Sequence, residues 1–322
     1  MSTHQLYTAF KANKGKFVEE EVIQKKHLKE LEEIKRELSV GEYKINSQLK
    51  DGRTPLYVAV CNNNLVAVKY LIELGANLEI EEYENGNTAL MAAISLGYNQ
   101  VIDYLISSGA NIHAINKNDN TIIHFAAICD NLPIVQYAFE HGCDINKKDK
   151  EGNCAILFAA GNGFKKIVDY LLEQDAEIDI IDSEKMSLLH ICILHDRNEI
   201  LNSILYKNRT CINKYYGDYK TPLYWASLTN KYKSVYVLIM YGAKPNLNDY
   251  LDYSPLYWAV FNQNYEMVKL LIEFGSDIHC RYRLGGFSQS LGDSILRTAK
   301  RGYTPSIVEL LEDSGGIDYS EY

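Results

Sequence analysis

Eight histidines and seven cysteines are the first residues of this 322-residue chain to test for chemistry. The tightest grouping is His190, Cys192 and His195. On one helix only residues three or four apart share a face, and His190 stands two from Cys192 and five from His195. A zinc ion needs better-placed ligands than these, so no metal site is expected. Cys61, Cys129, Cys143, Cys154, Cys192, Cys211 and Cys280 are odd in number and widely spaced, with no C-x-x-C pair. They read as small buried residues of a reducing compartment rather than as a disulfide framework or a zinc knuckle. Gly285-Gly286 is not followed by Lys-Ser/Thr, so it reads as loop flexibility. No nucleophile elbow, P-loop, zinc-protease or kinase signature occurs, and no catalytic residue or cofactor is expected. An enzyme with an unrecognised site stays open as an alternative.

The aromatic residues say more. The chain has 25 tyrosines and two tryptophans, and they gather late. One group is Tyr215, Tyr216, Tyr219, Tyr224 and Trp225; the other is Tyr250, Tyr253, Tyr257 and Trp258. Tyr and Trp are the side chains that most often anchor protein interfaces. Binding is the reading favoured for Tyr215, Tyr216, Tyr250 and Tyr253. For Trp225 and Trp258, packing against the neighbouring helix pair is an equal reading. Asp218, Asp249 and Asp252 surround the group and would form a polar rim suited to a basic or amphipathic partner segment. A small-ligand or nucleotide sensor is a second alternative, with stacked aromatics and the nearby Arg281 and Arg283 as its parts.

These residues are positioned by a repeat. Leu56, Leu90, Ile123, Ile156, Leu189, Leu223 and Leu256 follow one another at 33 or 34 residues. Three residues after each stands a small side chain: Ala59, Ala93, Ala126, Ala159, Cys192, Ala226 and Ala259. It lets two antiparallel helices approach closely. Nine further on comes an aliphatic residue, from Val68 to Val268. Seven beyond that comes a glycine to end the second helix in the left-handed conformation. Repeats four and five have Asp175 and Asn208 at that position. Both can adopt the conformation, Asp175 with more strain. The spacing predicts helices starting near Thr54, Thr88, Thr121, Cys154, Ser187, Thr221 and Ser254.

The pattern resembles the ankyrin repeat, best at Thr54-Pro55-Leu56-Tyr57-Val58-Ala59 and Thr221-Pro222-Leu223-Tyr224-Trp225-Ala226. The resemblance implies an all-α solenoid of helix pairs with β-turn tips and degenerate N- and C-terminal caps. It implies that His124 and His190 serve packing and hydrogen bonding near the turn. It further implies a non-catalytic protein–protein interaction scaffold, with turn tips and first helices lining a concave binding face. The expected organisation is an N-terminal helical cap over 1–50, seven repeats over 51–284, and an inserted loop with a capping repeat over 285–322. In the first cap, Gln5–Phe10 reads as a first helix and residues 16–38 as a long charged one, the latter with a partner-binding surface as its alternative.

Charge bounds the partners. The chain carries 33 basic and 42 acidic residues, net −9. This argues against a nucleic-acid or anionic-membrane binder, which needs a basic footprint. Residues 1–50 hold ten Lys/Arg and eight Asp/Glu, so the acidity lies in the repeats. There is no apolar run long enough for a membrane span and no apolar signal region at the N-terminus. The expectation is a monomer in the cytoplasm, or in a host cytosol if the chain is a secreted effector.

Overall fold

In the computed structural model, residues 20–40, 44–217, 220–283 and 291–318 are described. Gln5–Phe10 lies outside them. The chain divides into two compact units, residues 1–150 and 151–322.

The first unit opens with α1 (Glu20–Val40), the long charged helix, which packs on the second helix of repeat one. Leu31 is buried in that contact, while Leu28 faces solvent. The cap is also tied by hydrogen bonds: Asn64 Nδ2 donates to the His27 carbonyl at 2.9 Å. Three helix pairs follow. They are α2 (Pro55–Cys61) with α3 (Leu65–Glu73), α4 (Ala89–Leu96) with α5 (Asn99–Ser107), and α6 (Ile122–Ile128) with α7 (Leu132–Glu140).

The second unit contains five pairs. These are α8 (Ala155–Asn162) with α9 (Lys165–Glu173), α10 (Leu188–Leu194) with α11 (Asn198–Lys207), and α12 (Pro222–Leu228) with α13 (Tyr232–Met240). Then come α14 (Pro255–Phe261) with α15 (Tyr265–Glu273), and α16 (Ile295–Arg301) with α17 (Pro305–Asp313). Within each unit the first helices pack on one another, as do the second helices of repeats one and two and those of the second unit. Apart from α1, every helix has seven to ten residues. Helices this short are marginal alone, so their stability comes from the packed seams.

Each predicted helix start is an N-cap. Thr54 Oγ1 accepts from the Tyr57 N–H at 3.2 Å, Thr221 Oγ1 from Tyr224 at 3.2 Å and Ser254 Oγ from Tyr257 at 3.0 Å. The first helix therefore begins at the following residue, which is proline in three repeats; proline lacks the N–H that would go unpaired there. The small residues at the third position after the leucine are fully buried, Ala126, Ala159 and Cys192 among them.

The left-handed stop after the second helix holds at Gly75, Gly109, Gly142, Asp175, Gly242, Gly275 and Gly315. Asn208 departs from expectation: its backbone is extended, with φ −154° and ψ 130°. The reason lies in spacing. Repeat five has one extra residue between its second helix and the next tip, so α11 runs to ten residues and leaves without a sharp reversal. Asn208 Oδ1 then accepts from the Thr210 N–H at 2.8 Å. A second left-handed position recurs between the two helices of a pair, at Asn63, Gly97, Asp130, Gly163, Asp196, Asn230, Gln263 and Tyr303.

The turn tips are linked by backbone hydrogen bonds from one repeat to the one before. In the first unit they run from Tyr83 N–H to Asp51, Lys117 to Asn85 and Lys150 to Asn118, at 2.9 to 3.1 Å. In the second unit Ser183 N–H donates to Glu151 at 2.7 Å. The segment read as an inserted loop carries a short antiparallel pair, β1 (Arg281–Arg283) with β2 (Leu291–Ser294). Residues 284–290 lie outside the described residues.

Candidate functional site

The aromatic residues read from sequence separate by their column in the repeat. Tyr224 and Tyr257 each follow the motif leucine directly. That column faces inward: Tyr224 is 1% exposed and Tyr257 9%. His124 and His190 occupy the same column and are also buried. Each makes the contact its motif implies. His124 Nδ1 accepts from the Thr121 N–H at 3.1 Å, and His190 Nδ1 lies 2.7 Å from Ser187 Oγ. Tyr224 donates its hydroxyl to Asp249 Oδ2 at 2.7 Å. Burial and then this bond to an anion push the phenol's pKa well above its usual value. The shared column was the signal in the sequence that these two rings point inward.

Tyr253, Tyr257, Trp258 and Tyr282 form one packed cluster. Ring centroids lie 4.8 Å apart for Tyr253–Tyr282, 4.6 Å for Tyr257–Tyr282 and 5.7 Å for Tyr253–Trp258. Rings this close fill the space between them and leave no slot for a planar ligand. Tyr216 is half-buried and also engaged: its hydroxyl donates to Asp179 Oδ1 at 2.9 Å, and its ring meets His190 edge-on at 5.4 Å. Lys214 pairs with the same carboxylate, and its hydrogen bond holds Asp179 below the usual carboxylate range. Tyr215 and Tyr250 are the two tip residues that remain open, at 46% and 63% exposed. Tyr219 lies outside the described residues, as does Asp218.

Asp249 serves the tip more than a rim. Its Oδ1 accepts the Leu251 and Tyr253 N–H groups, both at 2.9 Å. Asn116 and Asp182 do the same at equivalent tips, so this position shapes the turn. Asp252 sits at the tip's left-handed residue, φ 63°.

The surface left open on the first helices is apolar. The second residue after the motif leucine gives Phe158, Ile191, Trp225 and Trp258 in repeats four to seven, all half-buried. The fifth gives Leu194, Leu228 and Phe261 in repeats five to seven; Leu194 and Phe261 are exposed. Residues three apart share a helix face, so the two columns merge into one strip; Trp258 and Phe261 touch with centroids at 5.5 Å. Lys220 places its ammonium 5.3 Å from the centre of the Trp225 ring, a cation–π contact at the edge of the strip. Leu194, Leu228 and Phe261 were not read from the sequence as site residues. The signal was the fifth column, visible once the repeats are aligned.

Two open grooves lie away from this strip. One, of about 570 Å³, runs along the tips of repeats one and two, lined by Asp51, Arg53, Tyr57, Cys61, Glu82 and Tyr83 among others. Glu82 is committed to its own turn, accepting the Glu84 and Asn85 N–H groups at 2.7 Å. The other, of about 360 Å³, lies by Asp175, Lys207 and Asn208. Among the described residues no group of three or more His, Cys, Asp or Glu could hold a metal ion, and no helix is long and apolar enough to cross a membrane.

Comparison with known proteins agrees with this architecture. No curated protein matches the chain. A family model described as ankyrin repeats (3 copies) matches residues 25–116, 108–182 and 189–282. These matches cover most of the sequence and coincide with the helix pairs, and the chain belongs to the ankyrin-repeat family.

Proposed function

We propose that this chain is a non-catalytic recognition scaffold, as ankyrin repeats generally are, and that its partner lies along the first helices of repeats five to seven. The observation that carries the reading is the strip formed by Leu194, Leu228 and Phe261 with Trp225 and Trp258. Contiguous apolar surface rimmed by polar groups marks an interaction site, and interface cores favour aromatic residues. Tyr215 and Tyr250 flank the strip at the tips and supply further ring surface. An amphipathic partner segment fits best: its apolar side covers the strip and its polar side meets the tips. Support for a basic partner is weaker than the charge count implied, because Asp179 and Asp249 are already engaged. The seven unbridged thiols support work in a reducing compartment such as the cytosol.

Proteins captured from native lysate on the wild-type chain are compared with those held by Leu194→Glu and Phe261→Glu. Both positions are exposed, so melting temperatures should stay within a degree or two. A partner held by the wild type and lost by both variants, each costing at least about 1 kcal/mol, is the expected result. An identical set of bound proteins, with the fold intact, refutes the reading.

A further inference from the structure

The second helix of repeat six is apolar on two sides. Val235, Leu238 and Ile239 are buried in the seam of the second unit. On the opposite side Tyr232, Tyr236 and Met240, at i, i+4 and i+8, are exposed. Only Lys233 and Ser234 interrupt an otherwise apolar α13, and Ser234 points inward. A helix apolar all round is normally a buried helix.

The other repeats provide an internal control. The positions of Tyr236 and Met240 hold Lys69 and Glu73 in repeat one, Asp103 and Ser107 in repeat two, Gln136 and Glu140 in repeat three, and Asp169 and Glu173 in repeat four. The scaffold therefore asks for polar residues there, and repeat six departs from it. The departure spreads to the neighbouring second helices, where Tyr206 and Tyr265 are also exposed, and Phe274 is exposed at the C-cap of α15. These six side chains make a patch on the face of the second helices, built on α13 and separate from the first-helix strip.

The rim identifies the occupant. It carries Lys207, Arg209, Lys233 and Lys269 with Glu199, Glu266 and Glu273, mixed in sign and all exposed. A partner of one predominant charge would meet repulsion from three or four of them. A second copy related by a two-fold axis sets the lysines of one chain toward the glutamates of the other, and tyrosine and methionine suit the centre of such an isologous contact. We propose that this face of repeat six pairs two copies of the chain.

The test is sedimentation equilibrium of the full chain from about 1 to 200 µM, the range in which a modest isologous interface associates. The expected result is a reversible rise from the monomer mass toward twice that mass. The double variant Tyr236→Lys/Met240→Lys should weaken association at least tenfold while its circular dichroism and melting temperature remain those of the wild type. Phe261→Glu, on the other face, should associate as the wild type does. A wild type that stays monomeric at the highest concentration overturns the proposal. So does a dimer that survives the double substitution with its fold intact. Neither result bears on the first-helix strip, whose test reads a different partner.

Discussion

His190 should make the second unit sensitive to mild acid. It lies inside α10, 2% exposed, with Ser187 Oγ on Nδ1 and the rings of Tyr216 and Trp225 edge-on at 5.4 and 5.8 Å. Burial first, and the nearby Lys220 ammonium second, push its pKa down from 6.5 to about 4. The sign follows from which state takes the proton. Between pH 6.5 and about 4 the unfolded chain binds one at this side chain and the folded chain does not. Stability from this residue is therefore complete above 6.5 and is lost as the pH falls toward 4. At 1.36 kcal/mol per pH unit, the loss comes to roughly 3 kcal/mol across that window. Urea unfolding of the wild type and His190→Gln, at half-unit steps from pH 7.5 to 4.5, isolates the contribution. Surface carboxylates titrate in both proteins and cancel in the difference. The wild type should lose about 2–3 kcal/mol more than the variant over the range. Parallel stability curves would refute the argument and imply that His190 accepts its proton in the folded state.

Further outcomes are expected from packing and backbone geometry. Ala159→Leu should overpack the seam between helices and cost roughly 1–3 kcal/mol in urea unfolding. Tyr257→Ala should act on stability rather than affinity, lowering the melting temperature of the second unit by the equivalent of about 2–4 kcal/mol, because the ring sits inside the Tyr253–Trp258–Tyr282 cluster. Tyr303 occupies the left-handed slot that asparagine fills in repeats one and six, with φ 53° and its ring 91% exposed. Tyr303→Asn should therefore raise stability by about 1 kcal/mol, read by thermal unfolding. Repeats four and five lack the glycine stop, and repeat five also has cysteine in place of alanine, so amide exchange should be fastest there among the inner repeats. Slowest exchange at these two repeats would contradict it.

Much of the fold was legible because each position has a strong local cause. A hydroxyl before Pro-Leu or Leu-Leu caps a helix, and a small residue three beyond the leucine admits a neighbour, so the helix starts and buried alanines could be read directly. The site was harder. Residue type says that a ring can anchor a partner but not which way it points. Tyr224 and Tyr250 differ only in column, and one is inside while the other is open. Tyr232 and Tyr236 passed unremarked because they sit on a second helix, where an amphipathic reading assigns them to neither core nor tip. Asn208 required counting the extra residue of repeat five before its backbone could be foreseen. The β1–β2 pair has only seven residues and no alternation to mark it.

Among the described residues, four backbone hydrogen bonds between turn tips point the same way. In each, the later repeat supplies the N–H and the earlier one the carbonyl: Tyr83 to Asp51, Lys117 to Asn85, Lys150 to Asn118, Ser183 to Glu151. A chain made from its N-terminus presents each acceptor before the matching donor has been synthesised. Within a unit, a finished repeat is thus a template waiting at the ribosome exit, and the next can dock as it emerges without anything further downstream. Assembly on such a template is vectorial: each finished repeat offers its open carbonyl and apolar seam to the next, and only the last pair, α16 with α17, closes the stack.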